Sequence, residues 1–335
     1  MQSQSNWQKY SLYGLTLSSE FPFTSRLEPV QNNPDLSFKC QLEPPIHVNL
    51  STIAPAYTSW PKTPTGHPVI TLYRLGELDV LCCEGLLDFY IWPDRIVCHQ
   101  LDPEDGHLVE LRFLGTVMAY WLEQSGIPTF HASTTIVNGK AIGFLAHSYT
   151  GKTSLTATFV NAGYPLLADD VLAIREDGNS YWGQPAYPLM RMWPEQVETF
   201  IEDYETLPTV HPQSSKRQVP IGPDGFGSFK NQPYPLQALF LLERIDGDAF
   251  IKINLLPPPH AMFRLLENAF LHEVFHVLPG VSTRLELIGR LVQQIPVYSL
   301  SYPAGFDHLP KVCSAILESL EEAASSKSNR IDKTT

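Results

Sequence analysis

One stretch decides the fold of this chain: Ala141-Ile-Gly-Phe-Leu-Ala-His-Ser-Tyr-Thr-Gly-Lys-Thr-Ser-Leu-Thr-Ala-Thr-Phe-Val160. The apolar run over residues 141–145 predicts a buried strand, and the run that follows Lys152 predicts a helix. Between them, residues 146–153 match the phosphate-binding pattern G-x-x-x-x-G-K-[ST] except at its first position, where Ala146 stands. The stretch therefore predicts a strand, a phosphate-binding turn and a helix.

The pattern suits phosphate for physical reasons. A tight turn directs several backbone N–H groups at one point, and the helix N-terminus adds partial positive charge. Gly151 permits close approach, Lys152 can reach the β- and γ-phosphates, and the Thr153 hydroxyl can bind Mg²⁺. The predicted nucleotide-binding residues are Ala146, His147, Ser148, Tyr149, Thr150, Gly151, Lys152, Thr153 and Ser154. The alternative is an ordinary strand, turn and helix with a lysine at the helix start.

Charge and composition exclude several classes of protein. The 335 residues carry a formal net charge of -12, which argues against binding nucleic acid because no basic face can neutralise its phosphates. No apolar run approaches the roughly 18–20 residues of a membrane span, and the N-terminus lacks a signal-peptide pattern. Five cysteines without a C-x-x-C pair indicate reduced thiols. We therefore expect a cytoplasmic protein without membrane or nucleic-acid partners.

The first part of the chain has the pattern of a β domain. From residue 10 to about residue 100, short β-type runs alternate with turn residues, and Pro93-Asp94 joins two of them as a hairpin. After Gly106 the apolar spacing becomes helical over residues 107–122. We predict a mostly antiparallel β domain over residues 1–106, a catalytic domain over residues 107–324 and a disordered tail over residues 325–335.

The catalytic part alternates strands and helices. A strand over residues 130–137 meets the 141–145 strand through the hairpin turn Asn138-Gly139, and Gly163 ends the helix after the phosphate-binding turn. We expect a later buried strand over residues 236–242. After the Asp246-Gly247 turn, we expect residues 250–255 to form a strand that pairs with it. The predicted helices that follow cover residues 259–278, 282–294 and 309–324.

Two adjacent carboxylates interrupt an apolar strand over residues 164–174. Burying Asp169 and Asp170 is costly unless they have partners, so their position indicates function. In phosphoryl transfer one Asp binds metal and, in kinases, another accepts the hydroxyl proton. Neighbouring side chains on a strand diverge, so the pair could serve both purposes. The alternative is a strand end that reaches solvent.

A basic pair lies in a turn-rich region further along the chain. Lys216 and Arg217 could hold a transferring phosphoryl group, or they could be solvated loop charges.

The string His272-Glu273-Val-Phe-His276 fits H-E-x-x-H, the pattern of zinc peptidases. On the helix predicted here, both histidines would share one face and Glu273 would act as the base. A third ligand is missing at the usual spacing, where Pro279 and Ser282 stand. A zinc peptidase is accordingly the third hypothesis for function.

Several of these motifs together resemble one family. Phe130-His131-Ala, the 146–153 turn, Gly163-Tyr164 and Ala168-Asp169-Asp170-Val171 resemble the bacterial HPr kinase/phosphorylase catalytic domain. They are still more similar to stand-alone HPr-kinase-like proteins, some of which phosphorylate a serine of a precursor peptide, as in lasso-peptide tailoring. The opening Tyr13-Gly14-Leu15 also looks like that group. The strong resemblance covers about residues 126–174.

This resemblance implies a P-loop α/β fold related to phosphoenolpyruvate carboxykinase, with ATP and Mg²⁺. By position, Lys152 would neutralise phosphates, Thr153 would hold Mg²⁺, and Asp169 would be the general base. His131 matches the histidine beside that base, Asp170 would assist the metal, and Arg217 with Lys216 is a weaker match to a basic loop. Ala146 and Tyr149 depart from the family, which usually has glycines there.

The leading hypothesis is an ATP- and Mg²⁺-dependent kinase that acts on a hydroxyl, most simply a serine of a peptide or protein. The second is a nucleotide-binding regulatory module that does not transfer phosphate, as the missing glycines suggest. The sequence leaves open whether the donor is ATP, GTP or pyrophosphate, and it assigns no oligomeric state.

Overall fold

The chain folds as a mixed α/β protein with two main mixed sheets. A computed structural model describes residues 7–331, apart from residues 61, 64, 65, 148, 149, 212, 213, 246, 248, 249 and 279. Ser148 and Tyr149, two of the predicted nucleotide-binding residues, lie outside the described residues.

The strands and helices have the following bounds. The strands are β1 (Gln8–Leu12), β2 (Leu15–Ser19), β3 (Leu36–Gln41), β4 (Tyr57–Thr58), β5 (Ile70–Leu75), β6 (Leu78–Cys83), β7 (Leu87–Ile91), β8 (Arg95–Gln100), β9 (Thr129–Val137), β10 (Lys140–Leu145), β11 (Leu166–Ala168), β12 (Val171–Asp177), β13 (Ser180–Gly183), β14 (Leu189–Met192), β15 (Arg217–Pro220), β16 (Tyr234–Ile245), β17 (Lys252–Leu255) and β18 (Val297–Pro303). The α-helices are α1 (Gly106–Arg112), α2 (Met118–Gln124), α3 (Lys152–Asn161), α4 (Pro194–Phe200), α5 (Pro258–Glu267), α6 (Val281–Gln294) and α7 (Leu309–Ile331).

The first sheet contains the strands of the predicted β domain. Its order is β1-β2-β3-β8-β7-β6-β5-β4, and its neighbours are antiparallel except at β2–β3 and β3–β8. Pro93-Asp94 does form the turn between β7 and β8, where the Trp92 N–H donates to the Arg95 carbonyl over 2.9 Å. The mostly antiparallel pattern predicted for this region is therefore confirmed.

The predicted helix over residues 107–122 packs on this first sheet. It consists of α1, a π-helical turn over Phe113–Val117, and α2. The Phe113 ring stacks on Phe38 of β3 with ring centres 3.7 Å apart, and the Tyr13 hydroxyl donates to the Leu114 carbonyl over 2.8 Å. One core of buried side chains thus crosses residue 106 and joins the sheet to the helix.

The second sheet closes into a ring of five strands. Its order is β10-β9-β12-β13-β16-β18-β17, and β10 also pairs with β16 in parallel, while β11 pairs with β9. Asn138 and Gly139 have φ values of 48° and 74°, as the predicted two-residue hairpin between β9 and β10 requires. The strand and helix predicted on either side of the 146–153 turn are present as β10 and α3.

Two predictions for the later part of the chain were wrong. Strand β18 was not predicted, yet it lies between β16 and β17. Strand β17 therefore pairs with β18 and not with β16. Packing decides this order, because the Tyr298 ring of β18 stacks on Phe240 of β16 with centres 5.2 Å apart. The last helix also continues to Ile331, beyond the predicted end.

The helix predicted over residues 259–278 ends at Glu267. The following residues run beside the start of β9, where the His131 N–H donates to the Asn268 carbonyl over 2.9 Å and the Phe270 N–H to the Thr129 carbonyl over 3.0 Å. A 3₁₀ helix then covers His272–Val277. The chain therefore forms hydrogen bonds with β9 at this point instead of continuing as a helix.

The region expected to be rich in turns contains regular structure as well. Strands β14 and β15 form a separate antiparallel pair, and α4 follows β14. We refer to β14, α4 and β15 as the side unit. It forms one wall of the cavity described below. In the part of the chain that the structure describes, no helix is both long and apolar enough to span a bilayer.

Candidate functional site

The start of α3 requires a glycine. Gly151 is the residue that precedes the helix, and its φ of +101° is strained for any other residue. A Cβ at this position would lie 2.8 Å from the Tyr302 hydroxyl, which donates to the Thr150 carbonyl over 3.2 Å. Strand β18 therefore contacts the turn through Tyr302 and restricts its conformation.

Lys152 is held against the backbone of the same turn. Its ammonium group donates to the carbonyls of Ala146, over 2.6 Å, and His147, over 3.2 Å. Only 7% of the residue is exposed, and this burial lowers the pKa of Lys152 to about 8, although Asp170 and Asp169 oppose the change. The turn therefore contains a buried ammonium that two carboxylates help to keep charged.

Asp169 and Asp170 occupy the break between β11 and β12. Asp170 has a φ of +73°, a left-handed conformation that is uncommon for residues other than glycine. The strand is interrupted at these two residues, so the alternation of a regular strand does not apply to them, and both line one cavity.

Asp169 is buried and hydrogen-bonded on both oxygens. The Ser133 hydroxyl donates to Oδ1, and the Arg191 backbone N–H donates to Oδ2 over 3.1 Å. The Thr153 hydroxyl lies 3.4 Å from Oδ1. Burial raises the pKa of Asp169 above its ordinary value, although the Ser133 hydrogen bond opposes the rise. This carboxyl group therefore has an increased affinity for a proton.

Asp170 has the opposite tendency. Desolvation disfavours its charged form, but the hydrogen bond and charge of His131 and the charge of Arg191 outweigh it and hold the pKa of Asp170 well below its ordinary value. His131 Nδ1 lies 3.2 Å from Oδ1, and Arg191 Nη1 lies 3.6 Å from Oδ2. His131, expected beside Asp169, is thus paired with Asp170.

Arg191 of β14 is a site residue that the sequence reasoning missed. Its backbone binds one aspartate, its guanidinium group pairs with the other, and its Nη2 donates to the Tyr187 hydroxyl over 3.0 Å. The one available signal was a single arginine inside the apolar run Leu189-Met-Arg-Met192. A charge in such a run needs a partner, as the two aspartates do.

These groups converge on a cavity of about 470 Å³, which we refer to as the first cavity. The predicted residues that line it are His131, Gly151, Lys152, Thr153, Ser154, Asp169, Asp170 and Lys216. Other parts of the chain contribute further lining residues, which the sequence gave no reason to group with them: Ser133, Arg191, Trp193, Gln196, Arg244, Tyr302 and Phe306.

Other predicted residues have different positions or contacts. Ala146 and His147 line a separate cavity of about 260 Å³, the second cavity. The Ser154 hydroxyl accepts a hydrogen bond from Gln196 over 2.7 Å, so it fastens α3 to α4. Arg217 donates to the Leu207 carbonyl over 2.9 Å and is not among the residues that line either cavity.

Lys216 lies directly before β15 of the side unit and lines the first cavity. Its ammonium group lies 5.0 Å from the centre of the Trp193 ring, within the range of a cation–π contact. Of the basic pair singled out in the sequence, Lys216 therefore belongs to the site and Arg217 stabilises the loop that leads to β15.

The H-E-x-x-H string does not form the helix that a zinc site needs. His272–Val277 is a 3₁₀ helix with about three residues per turn, so residues four apart do not share one face. Glu273 Oε2 accepts a hydrogen bond from the Tyr57 hydroxyl over 2.8 Å. Among the described residues, no three His, Cys, Asp or Glu side chains are grouped to hold a metal ion.

Comparison with known proteins shows a distant similarity of fold. No protein-family model matches the chain, and no curated protein matches its sequence. The chain is similar to the solved structure of the HPr(Ser) kinase/phosphatase from Coxiella burnetii, with 11% sequence identity and a TM-score of 0.30. The alignment covers 60% of this chain and 98% of the other.

Proposed function

We propose that this chain is an ATP- and Mg²⁺-dependent phosphotransferase whose acceptor is a hydroxyl, most simply the serine of a peptide or protein. One observation carries the proposal. Two adjacent carboxyl groups with opposite pKa shifts, Asp169 and Asp170, face the cavity that also contains Lys152 and Thr153. Paired groups whose surroundings separate their pKa values are typical of proton transfer at active sites.

Lys152 is proposed to neutralise the donor phosphates. Its ammonium group already lies against the turn whose N–H groups precede α3, so phosphate oxygens at the helix start would meet both charge and donors. Lys216 would add a second cation from the side unit. Phosphoryl transfer depends mainly on such positioning and charge stabilisation.

The oxygen atoms beside this lysine fit Mg²⁺. Thr153 offers a hydroxyl, and Asp170 offers a carboxylate that stays ionised. Magnesium prefers oxygen ligands and is usually held by one or two carboxylates together with substrate phosphates and water. When bound, the ion would neutralise charge on the phosphates.

Asp169 is proposed to take the proton of the acceptor hydroxyl. Hydrogen bonds from Ser133 and from the Arg191 backbone fix its orientation, and its raised pKa favours proton acceptance. His131 and Arg191 act on the neighbouring Asp170, which they keep ionised. The two carboxylates would thus have separate roles in one cavity.

Nucleotide binding is tested first, by calorimetric titration of ATP with Mg²⁺. The wild type should bind, and Lys152→Ala should lose at least about tenfold in affinity, which one charge-assisted contact supplies. Lys140→Ala is the matched control, because Lys140 lies exposed at the other end of β10. If the wild type binds neither ATP nor GTP nor pyrophosphate, the proposal fails.

Transfer is tested with γ-³²P-labelled ATP and serine-containing peptides. Asp169→Asn should lower the transfer rate by about 10²–10⁴, the usual contribution of a general base, and should leave ATP binding intact. Asp177→Asn, at the exposed end of β12, is the control and should react normally. Wild-type binding of ATP without transfer to any hydroxyl, water included, would favour a nucleotide-binding regulatory module instead.

A further inference from the structure

The second cavity shares a wall with the first. His131 and Asp170 line both cavities, and the second lies between the residues that begin the 146–153 turn and the segment over residues 267–272. A ligand in the second cavity would therefore approach the same Asp170 that faces the proposed phosphate site, from its other side.

The outer wall of the second cavity is built on β9. Ala269 forms an isolated bridge with Phe130, and hydrogen bonds join the backbones of residues 268 and 270 to those of residues 131 and 129. The Phe270 ring contacts the His131 ring edge to face, with centres 5.8 Å apart. The wall is thus tied to the strand that carries His131 and Ser133.

The wall offers negative charge. Glu267 and Glu243 share one guanidinium group, since Arg264 Nε lies 3.3 Å from Glu267 and Arg264 Nη1 lies 3.1 Å from Glu243. Two carboxylates on one cation leave a net negative charge beside the cavity. Asp170 contributes a second carboxylate to the lining.

The wall also contains an unused hydrogen-bond acceptor. Asn268 lines the second cavity, is only 5% exposed, and donates from Nδ2 to the Arg264 carbonyl over 2.9 Å. Its Oδ1 accepts no hydrogen bond from any described residue. A buried amide oxygen without a partner is costly, and because this one is closed off from solvent a donor-rich ligand would reach it only after the side chain shifts.

We propose that the second cavity binds the cationic side chain, lysine or arginine, of the residue next to the acceptor serine in a peptide substrate. This inference rests on the proposed phosphotransfer function. Successive side chains of an extended peptide point to opposite sides. A serine hydroxyl directed at Asp169 would therefore send its neighbour across the shared wall of His131 and Asp170, towards Glu267.

Fluorescence anisotropy with labelled hexapeptides tests this directly. One pair has lysine or norleucine immediately before the serine, and a second pair has them immediately after it. We expect the wild type to bind the lysine peptide of at least one pair about tenfold more tightly, the factor that one charge-assisted hydrogen bond supplies. Equal binding within both pairs would overturn the inference.

Two variants locate the effect. Glu267→Gln should reduce the preference for lysine to about threefold or less and leave norleucine peptides unchanged. Glu243→Gln is the comparison variant: it removes the same charge from the same arginine at a residue that does not line the cavity, so it should lower the preference for lysine by less than Glu267→Gln does. A preference that Glu267→Gln leaves intact, or that both variants reduce equally, would overturn the inference.

The outcome is distinguishable from failure of the proposed function. Peptide binding is measured without ATP, whereas the phosphotransfer proposal depends on ATP titration and on the labelled-phosphate assay. If transfer succeeds and no peptide shows a lysine preference, the second cavity has no such role and the proposed function stands. If neither ATP nor GTP nor pyrophosphate binds, the proposed function fails whatever the peptides do.

Discussion

At the scale of single residues, two neighbouring aspartates differ because their partners differ. Asp169 meets a hydroxyl and a backbone N–H, whereas Asp170 meets an imidazole and a guanidinium group. Neutral donors only partly offset the cost of burying a carboxylate, but cations reverse it. The two residues are chemically identical, so the difference between their pKa shifts comes from their contacts.

This difference predicts opposite effects on stability. Asp169→Asn removes a buried carboxylate whose pKa is raised, so at pH 7 its unfolding temperature should equal or exceed that of the wild type. Asp170→Asn leaves Arg191 without its anion and should unfold at least about 3 °C lower. Thermal unfolding measures both, with Asp177→Asn as an exposed control. A lower temperature for Asp169→Asn than for Asp170→Asn would contradict this reading.

The pH dependence of the Asp170 contribution has a definite sign. Because its folded-state pKa is depressed, the stability that its carboxylate supplies is present above the ordinary value of about 4 and is lost as the pH falls further. Wild type and Asp170→Asn should therefore differ at pH 7 and converge in acid. A constant difference down to about pH 2 would show that the charge is not responsible.

Lys152 should take up protons when phosphate binds. Its pKa of about 8 means that roughly half of the free protein carries a neutral lysine at pH 8, and bound phosphates would restore the charge. Calorimetry of ATP binding at pH 8 in HEPES and in Tris should show uptake of about half a proton. Lys152→Arg stays charged and should show none. Uptake that persists in that variant would assign the proton to another group.

Part of the site was accessible from the sequence because local spacing encodes it. Gly151, Lys152 and Thr153 follow one another at a helix start, and Asp169 with Asp170 interrupts an apolar run. Tyr302 reaches the site through the pairing of β18 with β16, which no local pattern reports, and Arg191 reaches it through contacts with the two aspartates, which its place in an apolar run signals but does not specify. The pairing of His131 with Asp170 depends on a left-handed residue that the sequence does not mark.

At the scale of elements, the start of α3 depends on contact with β18. Gly151→Ala would add both a strained φ and an overlap with the Tyr302 hydroxyl, so it should cost more than roughly 1–2 kcal/mol and weaken ATP binding. Gly163→Ala, at the other end of α3, has a similar φ of +94° with open space around it, and isolates the cost of strain. Thermal unfolding and calorimetry measure the difference.

Removal of the overlapping hydroxyl provides a further check. The double variant with Tyr302→Phe and Gly151→Ala should be more stable than Gly151→Ala alone. Its loss of stability relative to the wild type should be about that of Gly163→Ala. If Gly151→Ala and Gly163→Ala prove equally stable, contact with β18 does not constrain the turn.

Element prediction succeeded where a turn or a helix start was encoded locally. The β9–β10 hairpin follows from Asn138-Gly139, and α3 follows from its glycine and its apolar run. It missed β18, although Tyr298, Leu300 and Tyr302 alternate with serines in the pattern of a strand. It also failed at the end of α5, where pairing with β9 competes with the helix, and there tertiary contacts decide the structure.

At the scale of the whole molecule, the first sheet and the candidate site should unfold together. The core that contains Phe38 and Phe113 also includes Val171 and Ala173 of β12, directly after the two aspartates. Phe38→Ala should therefore cost about 3–5 kcal/mol and lower a single transition, with loss of ATP binding at the same temperature. Phe250→Ala, 83% exposed, is the control. Two separate transitions, with ATP binding surviving the first, would contradict this expectation.

The ring of strands in the second sheet constrains when the protein can complete its fold during synthesis. Strand β10 emerges from the ribosome with β9, but its other neighbour, β16, ends only at residue 245 of 335. Until then, one edge of β10 is unpaired and its buried side chains, Ile142 and Phe144, are exposed to other nascent chains. Chaperones that bind apolar strands should therefore engage this protein at intermediate lengths, and a message truncated before β16 should yield aggregates rather than a folded fragment.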